Sequence, residues 1–156
     1  MSIYITKTDG TRELHNADRV NRSIERACAG LVDPIAMVTQ IATETYLTLY
    51  NGITTDELDH ATINAAVQNI KEDIQYDRVA TRLLLKTVYR RVIGEYDKEN
   101  PADLQKKHRD AFIHYIKSGI EQNRLHKDMG SKFNLEELAD YISLDRDELF
   151  VYAGLD

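Results

Sequence analysis

The chain has 156 residues, 42% hydrophobic and 29% charged, with a formal net charge of -6. That length suits one compact domain, or one domain plus a small appendage. The acidic balance argues against a broad nucleic-acid surface and leaves room only for a local cationic pocket.

A lone cysteine, Cys28, excludes an intrachain disulfide, a thiolate zinc site and cysteine-pair redox chemistry. A reducing, cytoplasmic compartment is the expectation. Neither a signal-peptide pattern nor an apolar run of membrane-spanning length is present, so no membrane role is expected.

The chain opens on Ile3-Tyr4-Ile5, whose apolar residues alternate with a more polar neighbour as in a half-buried strand. Asp9-Gly10 predicts a two-residue hairpin turn, because the turn needs positive φ and glycine adopts it without a clash. A second strand follows, and Asn16 or Asp18 is placed to cap a helix. Lys7, Arg12 and Arg19 are expected to fall close together there. Cations beside the free amides of a helix start can hold a polyphosphate. The plainer alternative is a small hairpin carrying solvated charges.

Val20, Ile24, Ala27, Cys28 and Leu31 repeat at helical spacing, and Gly30 is placed to end that helix. Cys28 lies on the apolar stripe and reads as a buried, inert side chain. Pro34 suits the first turn of a second helix with a stripe of Ile35, Val38, Ile41, Ala42, Thr45, Tyr46 and Leu49. It gives way to a turn at Tyr50-Asn51-Gly52. Thr54 followed by Glu57 is a capping box for a third helix bearing Leu58, Ala61, Thr62, Ala65, Ala66 and Ile70. A fourth helix is predicted from Tyr76 to Ile93, with Val79, Ala80, Leu83, Leu84, Thr87 and Val88 inside. Arg90 and Arg91 sit in its last turns, where cations also oppose the negative helix end without any ligand.

Residues 94–101 break the periodicity and read as a boundary, dividing the chain into 1–94 and 95–156. Beyond it, Leu104, His108, Ala111, Tyr115 and Ile116 predict another amphipathic helix, closed by Gly119. Asn134 is placed to cap a short helix with Leu135, Leu138, Ala139 and Ile142. Phe150 and Tyr152 find no obvious partner in the rest of the chain, and that end reads as a cut end or the entry to a larger domain. Asp56, Glu57, Asp59 and His60 could form a metal cluster, but carboxylates in a first helical turn are expected for dipole reasons. No residue is assigned to metal and none to catalysis.

Several of these stretches together resemble a known family. Lys7-Thr8-Asp9-Gly10-Thr11-Arg12-Glu13, Asn16-Ala17-Asp18-Arg19-Val20, Tyr50-Asn51-Gly52-Ile53-Thr54-Thr55 and the last helix of the bundle are similar, in order and spacing, to the ATP-cone of ribonucleotide reductases. Tyr76 to Leu84 resembles the segment joining the cone to the helical N-terminal domain of the large, catalytic subunit of class I reductases and their class II relatives. Residues 104–156 resemble the start of that domain. The Tyr76–Leu84 segment argues against the anaerobic reductases. The single cysteine argues against the repressors that carry a cone with a zinc ribbon.

The resemblance implies a mainly α (α+β) fold. A four-helix bundle is capped by a small N-terminal β-hairpin or sheet, and a short helical segment follows. It implies an allosteric module that binds ATP or dATP, with magnesium and no catalytic cofactor, and that regulates an oxidoreductase making deoxyribonucleotides for DNA synthesis. Its partners would be the rest of the large subunit, the radical-generating small subunit or other large subunits, with no nucleic acid. By the same resemblance, Lys7, Arg19, Arg90 and Arg91 lie near the phosphates, and Glu13 and Asn16 near the sugar. Val20 and Leu49 flank the base, and Thr55 hydrogen-bonds the adenine. Thr8 stands where the family commonly has a second basic residue. Asp59 aligns with a family histidine that faces the phosphates, where a carboxylate would repel them unless a divalent metal bridges the two, and His60, one position later, is the nucleotide-binding candidate to take the histidine's place. The alternative reading is a degenerate cone that has lost its ligand and serves only subunit contacts.

Overall fold

The computed structural model describes residues 2–98 and 100–155. It is mostly helical, with a two-stranded antiparallel sheet at the N-terminus. The chain forms two compact units, Met1–Thr87 with Phe150–Asp156, and Val88–Leu149.

In the first unit, β1 (Tyr4–Thr6) pairs with β2 (Arg12–Leu14), placing Ile5 opposite Glu13. The connection is not the two-residue turn expected from Asp9-Gly10. Lys7 N–H bonds Thr11 O at 2.8 Å and Gly10 N–H bonds Lys7 O at 2.9 Å, so three residues bulge between the paired ends. Gly10 takes φ 81° in that bulge, the left-handed conformation that glycine adopts without a Cβ clash. Asp9 Oδ1 accepts from Thr11 N–H at 2.9 Å and from its hydroxyl at 2.6 Å, which holds the loop shut.

Four helices follow: α1 (Ala17–Cys28), α2 (Pro34–Leu47), α3 (Thr55–Gln68) and α4 (Gln75–Ile93). Asn16, not Asp18, caps α1, its Oδ1 accepting from Arg19 N–H at 3.1 Å. Gly30 has φ 75° just past the end of α1, and Asp33 caps α2 through Ala36 N–H. The bundle core holds Ile24, Cys28, Ile41, Ala66, Val79 and Leu83. Small residues such as Ala65, Ala66 and Ala80 let the helix backbones approach. Two expected core residues lie outside it: Ile35 is 78% exposed and Met37 takes the inward place on the first turn of α2, while Val88 is exposed on α4. Buried Thr45 and Thr62 give their hydroxyls to the carbonyls of Ile41 and Leu58, four residues back, so each enters the core with its polar group satisfied. A short helix, α8 (Tyr152–Leu155), belongs to this unit too. Tyr152, expected to lack a partner, packs against the bundle core and gives its N–H to the Asp77 carboxylate at 3.3 Å.

In the second unit, α5 (Pro101–Glu121) runs past Gly119, which was expected to end it. A Cβ at Gly119 would lie 2.8 Å from Leu125 Cδ1, so glycine is there for close approach. Two four- and six-residue helices follow, α6 (Asp128–Ser131) and α7 (Leu135–Asp140), the latter capped by Asn134. Ile113, Leu135 and Ala139 form this unit's core. Arg109 ties α5 to α7 through Glu136 and Asp140, both at 2.6 Å. A 3-10 helix spans Leu144–Leu149, and its Asp147 accepts the Tyr89 hydroxyl. No described helix is long and apolar enough to cross a membrane.

Two outcomes check this packing. Ile41 is fully buried, so Ile41→Ala should cost about 2–5 kcal/mol in urea unfolding. Burial pushes the Cys28 thiol up to about 11 from 9.0. The folded chain should therefore resist thiol reagents at pH 8, and its stability should fall as pH rises from about 9 to 11, the window in which only the unfolded thiol ionises.

Candidate functional site

The site is assembled by one run of backbone bonds. Residues 51–54 lie alongside β1: Gly52 N–H bonds Tyr4 O at 2.8 Å, Thr6 N–H bonds Ile53 O at 2.9 Å, and Thr6 bridges Thr54 in parallel sense. The Asn51 side chain accepts from Tyr4 N–H at 3.0 Å. Gly52 makes this close approach with φ 94°. The start of α3 is thereby fixed beside the hairpin, and β2 leads directly into the start of α1. Two helix N-termini, each a partial positive charge with unsatisfied amides, end up flanking the same small sheet.

The start of α3 is a complete capping box. Thr54 Oγ1 accepts from Glu57 N–H at 3.2 Å, and Glu57 Oε2 accepts from Thr54 N–H and from the Thr54 hydroxyl, both at 2.8 Å. The Thr54 amide, then its hydroxyl, then Tyr50 hold the Glu57 carboxyl below its usual range. Next to the box, Thr55 turns its hydroxyl to Thr6 O at 3.5 Å.

The inner face of the hairpin carries Ile5 and Glu13. Glu13 accepts from Lys7 Nζ at 2.7 Å and from Arg19 Nη1 at 3.2 Å, joining the turn, β2 and α1. Lys7 chiefly, with help from Arg19, holds the Glu13 carboxyl below its ordinary range. Under this cluster, Ile5, Ile53 and Leu58 form a small apolar floor against which Val20 and Leu49 pack. Lys7, Glu13, Asn16, Arg19, Val20, Leu49 and Thr55 are thus brought to one end of the first unit.

Arg12 does not join them. Strand alternation turns it to the opposite face, beside Gly52, where a Cβ would lie 3.9 Å from its Nη2. His60 is exposed on α3, while Asp59 points inward. Arg90 and Arg91 occupy the last turn of α4, in the second unit, Arg90 partly buried and Arg91 exposed.

Three residues went unread in the sequence. Lys86 on α4 reaches Asp59 Oδ1 at 2.8 Å and Ser23 Oγ at 3.0 Å. The repulsion expected of Asp59 beside phosphate is therefore offset by a cation supplied from another helix. Ser23 lies four residues after Arg19, and Asp59 four after Thr55, so Lys86 sits on the faces that α1 and α3 present to the site. His15 follows Glu13 on the same strand face. Its ring meets Tyr46 edge-on at 5.9 Å, and both ring nitrogens are buried with no hydrogen-bond partner.

Residues 3–91 match the ATP cone domain model, more than half of the chain. The chain belongs to the ATP-cone family. The whole chain is also similar to alpha subunits of ribonucleoside-diphosphate reductase. It is 31% identical over 156 residues to that of Chlamydia trachomatis serovar D, covering 99% of this chain and 14% of that protein. It is 26% identical over 155 residues to subunit alpha of ribonucleoside-diphosphate reductase 1 from Escherichia coli K12, covering 99% of this chain and 19% of that protein. The Haemophilus influenzae subunit is 33% identical over 107 residues, 68% of this chain and 14% of that one. The chain thus spans less than a fifth of the length of these relatives and corresponds to their N-terminal region, a part of an oxidoreductase.

The capping box of this ATP cone has two measurable consequences. Thr54→Ala should cost about 1 kcal/mol of stability in chemical unfolding. Because the folded Glu57 carboxyl titrates below its usual 4.5, it adds stability above that value and loses it as pH falls through the lowered one. Glu57→Gln should accordingly flatten the acid limb of a melting-temperature profile as pH falls below 4.5.

Proposed function

We propose that the first unit is a nucleotide sensor that binds ATP and dATP at the hairpin end and regulates a ribonucleoside-diphosphate reductase alpha subunit. The observation that carries the reading is the convergence of Lys7, Glu13 and Arg19 on two capped helix N-termini over an apolar floor. A triphosphate needs several cations and amides, a base needs apolar flanks, and this end of the unit offers both.

In this reading Lys7 and Arg19 take the phosphates, Arg19 with its planar fork and Lys7 as a point charge. Glu13 and Asn16 lie near the sugar, Val20 and Leu49 flank the base, and Thr55 offers it a hydroxyl. Arg90, Arg91 and His60 belong to the proposal by family resemblance alone. Magnesium would arrive with the nucleotide. Among the described residues no group of three or more His, Cys, Asp or Glu could hold a metal, and Mg2+ is commonly carried by phosphates and waters with one or two carboxylates.

Two effectors competing for one pocket can regulate only by favouring different states of the larger protein. The partners proposed are the rest of the large subunit, the radical-generating small subunit and other large subunits, in the cytoplasm. The parent reaction is reduction of ribonucleotides to deoxyribonucleotides for DNA synthesis.

One observation favours a second reading, a cone that has lost its ligand. Lys7 and Arg19 are already paired with Glu13, and Lys86 with Asp59, so two carboxylates offset most of the charge of these three cations within the chain.

Calorimetric titration with magnesium ATP and dATP, run alongside sedimentation, separates the two. Saturable binding of both nucleotides is expected. Arg19→Ala should weaken it by about 1.5–3 kcal/mol, roughly ten- to hundredfold. A folded chain that binds neither nucleotide is a cone acting only in subunit contacts, and unchanged affinity in Arg19→Ala would remove Arg19 from the phosphate site.

A further inference from the structure

The side chains of Lys86 and Asp59 are 22% and 13% exposed, at 2.8 Å from one another. Three helices meet at this pair, through Ser23 on α1, Asp59 on α3 and Lys86 on α4. Its position follows from helical geometry. Arg19 and Thr55 stand at the starts of α1 and α3, beside the hairpin. Ser23 and Asp59 are each one turn further along the same face, about 6 Å deeper at 1.5 Å per residue. The pair therefore lies one helical turn in from Arg19 and Thr55.

We propose that Lys86 is the innermost phosphate-binding cation of the site, and that Asp59 is the counter-ion it keeps until a phosphate takes its place. The inference rests on the nucleotide-binding reading above. The chemistry recognised is a terminal phosphate of a nucleoside polyphosphate. An ammonium has three donors and no fork to align, so Lys86 can keep Ser23 while exchanging one anionic acceptor for another. Asp59 opposes that exchange, since its carboxylate repels the incoming phosphate and competes for the same donor. The two residues touch, yet they affect binding with opposite signs. A tie that only braced three helices would give both substitutions the same sign.

The test uses the full 156-residue chain and calorimetric titration with magnesium ATP and with AMP. Lys86→Met should weaken ATP binding about tenfold or more and leave AMP nearly unaffected. Lys86→Arg, which keeps the charge, should restore most of the loss. Asp59→Asn keeps an acceptor for Lys86 without the negative charge, and should tighten ATP about three- to tenfold while lowering the melting temperature of the nucleotide-free chain. Weaker ATP binding in Asp59→Asn, or unchanged affinity in a folded Lys86→Met, overturns the proposal. If Lys86→Met does not fold, the sign of the Asp59→Asn effect decides by itself. Wild-type binding with indifferent variants overturns this inference alone, whereas no binding by the wild type overturns the sensor reading and this inference together.

Discussion

The candidate site depends on a backbone interaction that contains no functional side chain. Four residues of the α2–α3 connection run beside β1 and bond to it through Gly52 and Ile53. A two-stranded hairpin is marginal in water by itself. Here its first strand gains a neighbour on the other edge, and its inner face gains an apolar floor from Ile53 and Leu58. The same bonds fix where α3 begins, and the short step from Leu14 to Ala17 fixes where α1 begins. Two helices far apart in sequence therefore start within reach of one hairpin. Gly52 is required because its φ of 94° falls where a side chain would be strained.

What the sequence made legible was local. Asn16, Thr54 with Glu57, Gly30 and Asn134 each act within one turn of where they stand, so spacing along the chain is spacing in the structure. The hairpin was readable as a hairpin, but its turn was not. Asp9-Gly10 serves a two-residue loop and a bulged three-residue one equally well, and the strand register chooses between them. The misreadings turn on which side chains pack together, which spacing does not reveal. Ile35 has an apolar side chain at helical spacing, yet Met37 takes the inward place on that turn. Gly119 carries a helix-ending signal, but the helix continues to Glu121 and Leu125 packs over the glycine. Tyr152 meets its partner Asp77 across 75 residues.

The site residues divide in the same way. Lys7, Glu13, Asn16 and Arg19 lie within thirteen consecutive residues and were readable as a cluster. Arg12 belongs to that run too, but strand alternation sends it to the other face, and only register reveals this. The Asp59–Lys86 pair spans 27 positions and Ser23–Lys86 spans 63, distances over which neither spacing nor periodicity informs. Asp59 alone reads as a liability beside phosphate. Asp59 with Lys86 reads as a neutral pair, and the sequence does not distinguish the two.

Charge compensation gives the site its physical character. Glu13 sits between two cations and Asp59 against a third, so two carboxylates offset most of the positive charge that three cations bring to the hairpin end. The Lys7–Glu13 and Arg19–Glu13 pairs are exposed and contribute little to stability, because water and salt screen them, whereas the more buried Lys86–Asp59 pair is screened less. For the proposed sensor their consequence lies in binding. A ligand phosphate would meet cations already held in place, which lowers the ordering cost of association, but it would have to compete with resident carboxylates for the same donors. Affinity then becomes a difference between two well-satisfied arrangements, and a single change in carboxylate charge can alter it in either direction.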